Sequence, residues 1–256
     1  MKTLRRLLPA ALCLLLGSLS SAQDTTTAPD MTAGPAPAGK PWEPGWGFWP
    51  KVPKAWQQTH EGLLKKRDKG GINVLFLGDS ITAGWSGAGK ELWAAKFEPM
   101  GAANFGIGGD TTRQILWRIE NGGLDGLKPE VVVLMIGVNN IFTNNGTDEE
   151  IAKGVAEVVK KIWEKTPDSK ILLYSVLPLK ADHYDQRVKT LNPMIGELGA
   201  GKDDKITVMD ITNLFRGADG KIDPELYVAD GTHLSQKGYE TWGESLEMDL
   251  KELMKK

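Results

Sequence analysis

From residue 55 onward the apolar positions fall into two rhythms. Short apolar runs at 72–77, 102–105, 131–136, 171–175 and 206–209 predict buried strands. Between them, apolar residues at three- and four-residue spacing predict helices over 55–68, 90–97, 112–120, 148–165 and 184–198, the last of these irregular because of Pro193, and a closing helix over 235–253. Continuous apolar strands separated by helices of this length predict a parallel sheet covered on both faces, which is a three-layer α/β/α domain. In such sheets function collects in the loops beyond the carboxyl ends of the strands.

Before residue 55 both rhythms are absent. Lys2, Arg5 and Arg6 precede an apolar run at 7–16, and Ser20-Ser21-Ala22 supplies small residues, so 1–22 is expected to be a signal peptide and the protein secreted or periplasmic. The run is short for a membrane span, so no transmembrane anchor is expected after cleavage. Residues 23–50 are rich in Thr, Ala and Pro, a composition that reads as a tether, and 51–256 is expected to be the folded domain. Trp42, Trp46 and Trp49 could pin that tether to the domain or form a sugar-stacking surface. Cys13 is the single cysteine and lies inside the leader, so the mature chain is expected to have no disulfide and no thiol chemistry.

Charge and composition narrow the function classes further. A formal net charge of −2 gives no electrostatic bias toward nucleic acid or an anionic membrane. No histidine pair has metal-ligand spacing, so neither metal nor cofactor is expected.

Four short islands carry the candidate chemistry: Gly78-Asp79-Ser80 after an apolar run, Gly106-Ile107-Gly108-Gly109-Asp110, Gly137-Val138-Asn139-Asn140 after another, and Asp230-Gly231-Thr232-His233 before the last helix. Each has a bland reading when taken alone. Ser80 could be a helix cap, Gly109 a turn glycine, Asn139 a strand-ending turn residue, and 230–235 a turn leading into a helix. Together they supply a serine nucleophile, a histidine base with an aspartate to orient it, and hydrogen-bond donors for an oxyanion. Asp79 and Asp110 are expected to support their loops rather than react, and Thr111-Thr112-Arg113-Gln114 reads as a capping box. His60 is expected to be a surface or packing residue, while His183 could reach the cleft rim but has nothing beside it that completes a site. The stretch from Gly84 to Lys90 matches a phosphate-binding loop up to its lysine, but Glu91 stands where Ser or Thr is needed and Ser80 separates it from the strand. It is expected to be a mobile flap, with Trp85 able to line the pocket.

In order and context the islands resemble the GDSL or SGNH hydrolase superfamily, from about Trp56 to the end. The stretch Asn104-Phe105-Gly106-Ile107-Gly108-Gly109-Asp110-Thr111-Thr112-Arg113, followed by Leu116-Trp117-Arg118-Ile119-Glu120-Asn121-Gly122, is similar to the catalytic subunits of intracellular platelet-activating factor acetylhydrolase and their bacterial relatives. The resemblance implies five parallel strands in flavodoxin-like order. It also implies a Ser80, His233, Asp230 triad, and an oxyanion hole made by the backbone N–H groups of Ser80 and Gly109 and the side-chain amide of Asn139. The expected protein is therefore a secreted serine esterase that removes short acyl groups, acetyl foremost, from oxygen esters of small-molecule or polysaccharide substrates. Carbohydrate is the first choice because an exported, tethered enzyme meets polysaccharide. A lipid-directed acylhydrolase is the alternative, and a non-catalytic carbohydrate-binding module is the alternative of another class.

Overall fold

A computed structural model describes residues 39–45, 53–200 and 205–255. The expected signal peptide, Trp46 and Trp49 lie outside the described residues. The strands are β1 (Val74–Gly78), β2 (Ala102–Gly106), β3 (Val131–Met135), β4 (Lys170–Tyr174) and β5 (Ile206–Met209). They form a parallel sheet of five strands in the order β2-β1-β3-β4-β5. The strand order reverses at β1, and β1 and β3 are buried along their whole length, as strands covered on both faces must be.

The helices are α1 (Lys54–Asp68), α2 (Ser80–Ala83), α3 (Lys90–Leu92), α4 (Thr112–Arg118), α5 (Val138–Phe142), α6 (Asp148–Lys165), α7 (Asp182–Gly196) and α8 (Gln236–Leu253). α4, α6 and α7 pack side by side, and α8 packs against α3. The single helix expected over 90–97 is instead an α turn that widens into a π turn over Trp93–Phe97. Pro99 and a left-handed Gly101, at φ +70°, then end it. The capping box before α4 forms, with Gln114 Oε1 accepting the Thr111 N–H at 2.9 Å.

Part of the segment expected as tether lies on the domain. Thr112 Oγ1 donates to Pro41 O (2.6 Å), Asn145 Nδ2 to Gly39 O (3.1 Å) and Arg113 Nε to Glu43 O (3.1 Å). The Lys153 ammonium stands 3.6 Å from the centre of the Trp42 ring, a cation–π contact that pins this segment.

At the start of the fold, α1 buries Trp56 and His60. The His60 ring stacks on Trp56 (5.6 Å between centres) and meets Trp117 edge-on (5.3 Å). Burial, reinforced by the Arg118 and Arg67 charges, lowers its pKa to about 4. Because the folded value lies below the unfolded value of 6.5, the neutral ring's contribution is intact above pH 6.5 and is lost as the pH falls toward 4. His60→Phe should therefore gain stability on the wild type between pH 7.5 and 4.5 by about 2–3 kcal/mol. Urea unfolding of both proteins at the two pH values measures it, and parallel pH dependences would contradict a buried neutral His60.

Candidate active site

β1 ends at Gly78, and the turn that follows gives the helix cap to Asp79, not to Ser80. The Asp79 carboxylate accepts the Ile81 N–H at 2.9 Å, which leaves Ser80 as the first helical residue with its hydroxyl unused by the cap. That hydroxyl stands 2.8 Å from His233 Nε2. Asp79 is 1% exposed, and burial pushes its carboxyl up to about 7 although the Ile81 N–H and the nearby His233 pull it down.

His233 and Asp230 share a tight turn between β5 and α8. Asp230 Oδ1 accepts the N–H groups of Thr232 (2.8 Å) and His233 (2.9 Å), while Oδ2 lies 2.7 Å from His233 Nδ1. The turn needs Gly231, whose φ is +65° and whose Cα faces the Lys180 side chain with no room for a Cβ. Tyr227 and Leu234 pair across its base, and the Tyr227 hydroxyl donates to Pro178 O at 2.9 Å. Burial acts to raise the Asp230 carboxyl, but the hydrogen bonds from the His233 ring and from the two backbone N–H groups outweigh it and hold the carboxyl below its ordinary value.

The loop from Gly106 to Asp110 borders Ser80, and a Cβ at Gly108 would sit 3.8 Å from the Ser80 Cβ. Gly109 adopts φ +80° there. Asn139, in the first turn of α5, is 5% exposed, and its Nδ2 donates to Asp110 O at 2.9 Å. Nδ2 carries two hydrogens, so the bond to Asp110 aims the amide without consuming it.

Asn140 has a different task. Its Oδ1 accepts the Thr112 N–H (3.1 Å), and its Nδ2 donates to Thr112 Oγ1 (3.0 Å) and Asn145 Oδ1 (3.2 Å), all in the interior.

Two expectations are corrected. Trp85 does not line a pocket: it is fully buried among Phe76, Trp93, Phe97, Tyr239 and Trp242. The segment 84–90, expected as a mobile flap, is a hydrogen-bonded turn anchored by that indole: the N–H groups of Gly87 and Gly89 donate to Gly84 O and that of Lys90 to Gly87 O. An indole is large enough to anchor a glycine-rich turn in the core, and N–H groups used in this way are not free to cradle a phosphate. His60 packs behind the site and His183 is exposed against Tyr184.

A hydroxyl–imidazole–carboxylate chain can carry the serine proton to Nε2, while amides beside the hydroxyl can receive an anionic oxygen. Behind these amides stands a set of side chains that no motif in the chain marks. Asp110, wholly buried, accepts from Trp56 Nε1 (2.6 Å) and from Arg118 Nη1 (2.7 Å). Burial raises its carboxyl to about 6, against the pull of Arg118. The signal available was an arginine two helical turns beyond an aspartate, a spacing too common to single out.

No group of His, Cys, Asp and Glu suited to a metal ion occurs among the described residues, and no described helix is long and apolar enough to cross a membrane. Residues 76–241 match the GDSL-like lipase/acylhydrolase family. Platelet-activating factor acetylhydrolase IB subunit alpha2 of Homo sapiens is 35% identical over 187 residues, which cover 72% of this chain and 78% of that one. Among solved structures, a GDSL-like lipase from Bacteroides thetaiotaomicron superposes with a TM-score of 0.61 at 23% identity, covering 78% of this chain and 97% of that one. An acetyl-xylooligosaccharide esterase from Geobacillus gives 0.56 at 19% identity, covering 72% and 94%.

The neighbouring asparagines should separate cleanly in stability. Asn140→Ala leaves the buried Thr112 N–H without its acceptor and Asn145 Oδ1 without its donor and should cost about 1–3 kcal/mol. Asn139→Ala, which removes only the bond to Asp110 O, should cost less. Chemical unfolding of both variants checks this, and a larger loss for Asn139→Ala would contradict the division of roles.

Proposed function

The chain belongs to the GDSL-like lipase/acylhydrolase family, whose members hydrolyse ester bonds, and from that premise we propose that it is a serine esterase acting through Ser80, His233 and Asp230. Ser80 Oγ attacks the ester carbonyl and passes its proton to His233 Nε2. Asp230 accepts a hydrogen bond from Nδ1–H, which keeps the ring in the tautomer whose Nε2 lone pair faces the hydroxyl. The tetrahedral oxygen is received by the backbone N–H groups of Ser80 and Gly109 and by the second hydrogen of the Asn139 amide. His233 then protonates the departing alcohol, and water repeats the sequence on the acyl-enzyme. The observation that carries this reading is the unbroken chain from Ser80 Oγ through His233 to Asp230 at 2.8 and 2.7 Å.

The acyl group proposed is acetyl, and the substrate an acetylated carbohydrate met outside the cytoplasm after export by the leader. The folded turn at 84–90 leaves no apolar lid directly after Ser80, so extra methylenes would stay in water instead of gaining the ~0.8 kcal/mol each could contribute on burial. Both the acetylhydrolase relative and the xylooligosaccharide esterase bear acetyl in their names, although their leaving groups differ. The relative's identity favours an acetylated phospholipid as the second reading.

Ser80→Ala should lower turnover by roughly 10⁴- to 10⁶-fold without unfolding the protein. Asn139→Ala should lower kcat by ~10²–10³-fold with KM little changed, because the amide binds the oxyanion more strongly than the ground-state carbonyl. Steady-state kinetics on p-nitrophenyl acetate read both, and wild-type rates in clean Ser80→Ala would end the serine mechanism. Across acyl lengths kcat/KM should be greatest for acetyl. A maximum at about eight carbons or beyond would instead mean that methylenes are being buried, and faster release of acetate from acetylated phospholipid than from acetylated xylan would favour the lipid reading.

A further inference from the structure

The two ends of the loop that carries Gly109 are held by a single side chain. Arg118, at the last position of α4 and almost wholly buried, donates through Nη2 to Phe105 O at 2.6 Å and through Nη1 to Asp110 Oδ2 at 2.7 Å. Phe105 lies on β2 just before the loop, and Asp110 closes it. Trp56 of α1 grips the other carboxylate oxygen at 2.6 Å. The Asp110 carbonyl in turn receives the Asn139 amide at 2.9 Å. Two of the three proposed oxyanion donors therefore depend on where Asp110 sits: Gly109 through the peptide bond they share, and Asn139 through that carbonyl. A buried ion pair is a poor way to gain stability, since desolvation offsets its attraction. A planar guanidinium nevertheless suits this place because it can hold two acceptors at a set separation, which an ammonium cannot.

We propose that Arg118, with Trp56, is a positioning residue for ester hydrolysis: by clamping Phe105 O and the Asp110 carboxylate together it holds the Gly109 N–H and the Asn139 amide at the oxyanion. The clamp touches neither the ester nor Ser80, and it rests on the Ser80 site proposed above. It acts on the transition state, so its removal should appear in kcat and in the binding of an oxyanion mimic, not in ground-state binding.

The experiment compares Arg118→Met, Arg118→Lys and Trp56→Phe with wild type, with active sites titrated by a fluorophosphonate so that kcat is counted per competent site. Arg118→Met should lose about 10²-fold in kcat, the scale of a displaced oxyanion donor, with KM within about threefold. Its affinity for a trifluoromethyl ketone, whose adduct with serine carries the oxyanion, should fall in parallel. Arg118→Lys, which keeps the charge but lacks the planar fork, should recover part of the loss, and Trp56→Phe, which removes the Nε1 donor and leaves a smaller aromatic ring in its place, should lose a smaller factor of the same kind. Should Arg118→Met fail to fold, the other two variants decide. Wild-type kcat per site and wild-type ketone affinity in the folded variants, with any loss confined to titre or melting temperature, would overturn the clamp. Ser80→Ala separates the two readings: its inactivity beside fully active Arg118 variants removes the clamp alone, whereas its retained activity removes the site itself.

Discussion

The close approach of backbone at the carboxyl ends of β1 and β2 is the constraint on which the rest of the site depends. A Cβ at Gly78 would lie 2.1 Å from Thr82 Oγ1 and 2.5 Å from Met135 O, and one at Gly106 would lie 2.2 Å from Ala83 N. Only glycine lets the Ser80 turn fold back over both strand ends. Hydrogen bonds then lock the approach: Ile107 N–H donates to Gly78 O at 3.1 Å, and Asn104 ties the Gly106 N–H (2.9 Å) to Ala83 O (3.2 Å). From the far side of the turn the Tyr239 hydroxyl of α8 donates to Ile81 O at 2.7 Å. The helix that follows His233 thus also holds the turn that carries Ser80.

Charge is distributed unevenly around this junction. Behind it Asp79, Asp110 and Arg118 are almost free of solvent, and burial raises both carboxyls. In front, the His233 and Asp230 side chains remain a third and a half exposed. The dry groups make short directional bonds that hold loops, and low local polarisability strengthens such bonds. The half-exposed pair is oriented instead by the backbone of its own turn, through two N–H groups on one carboxylate oxygen. Orientation from a short local turn lets these residues face a cleft without needing to be buried.

The fold was legible where pattern and burial coincide. β1 and β3 are unbroken apolar runs because both their faces are covered, and α6 begins at Asp148 because Thr147 and Glu150 form a capping box. Ser80, Asp230 and His233 stood out because each lies in a short polar island against apolar surroundings. Trp85 did not read correctly: an indole in a glycine-rich segment looks the same in sequence whether it lines a cleft or fills a core, and only its five aromatic neighbours from β1, the 93–97 turn and α8 decide.

Local rules thus carried the elements, their caps and the turn chemistry at Asp230-Gly231-Thr232-His233, since these depend on residues a few positions apart. Strand order lay beyond periodicity, which is the same for every arrangement of buried parallel strands, and came from family resemblance. What the tertiary structure alone decided are the long-range contacts: Ser80 with His233 across 153 positions, Trp56 with Asp110 across 54, and Thr112 with Pro41 across 71. Such pairs leave no period or spacing in the chain, because each partner's local context is satisfied in many folds. Their meeting follows from the packing of whole layers, in which one glycine-lined junction brings the ends of three strands and two helices together.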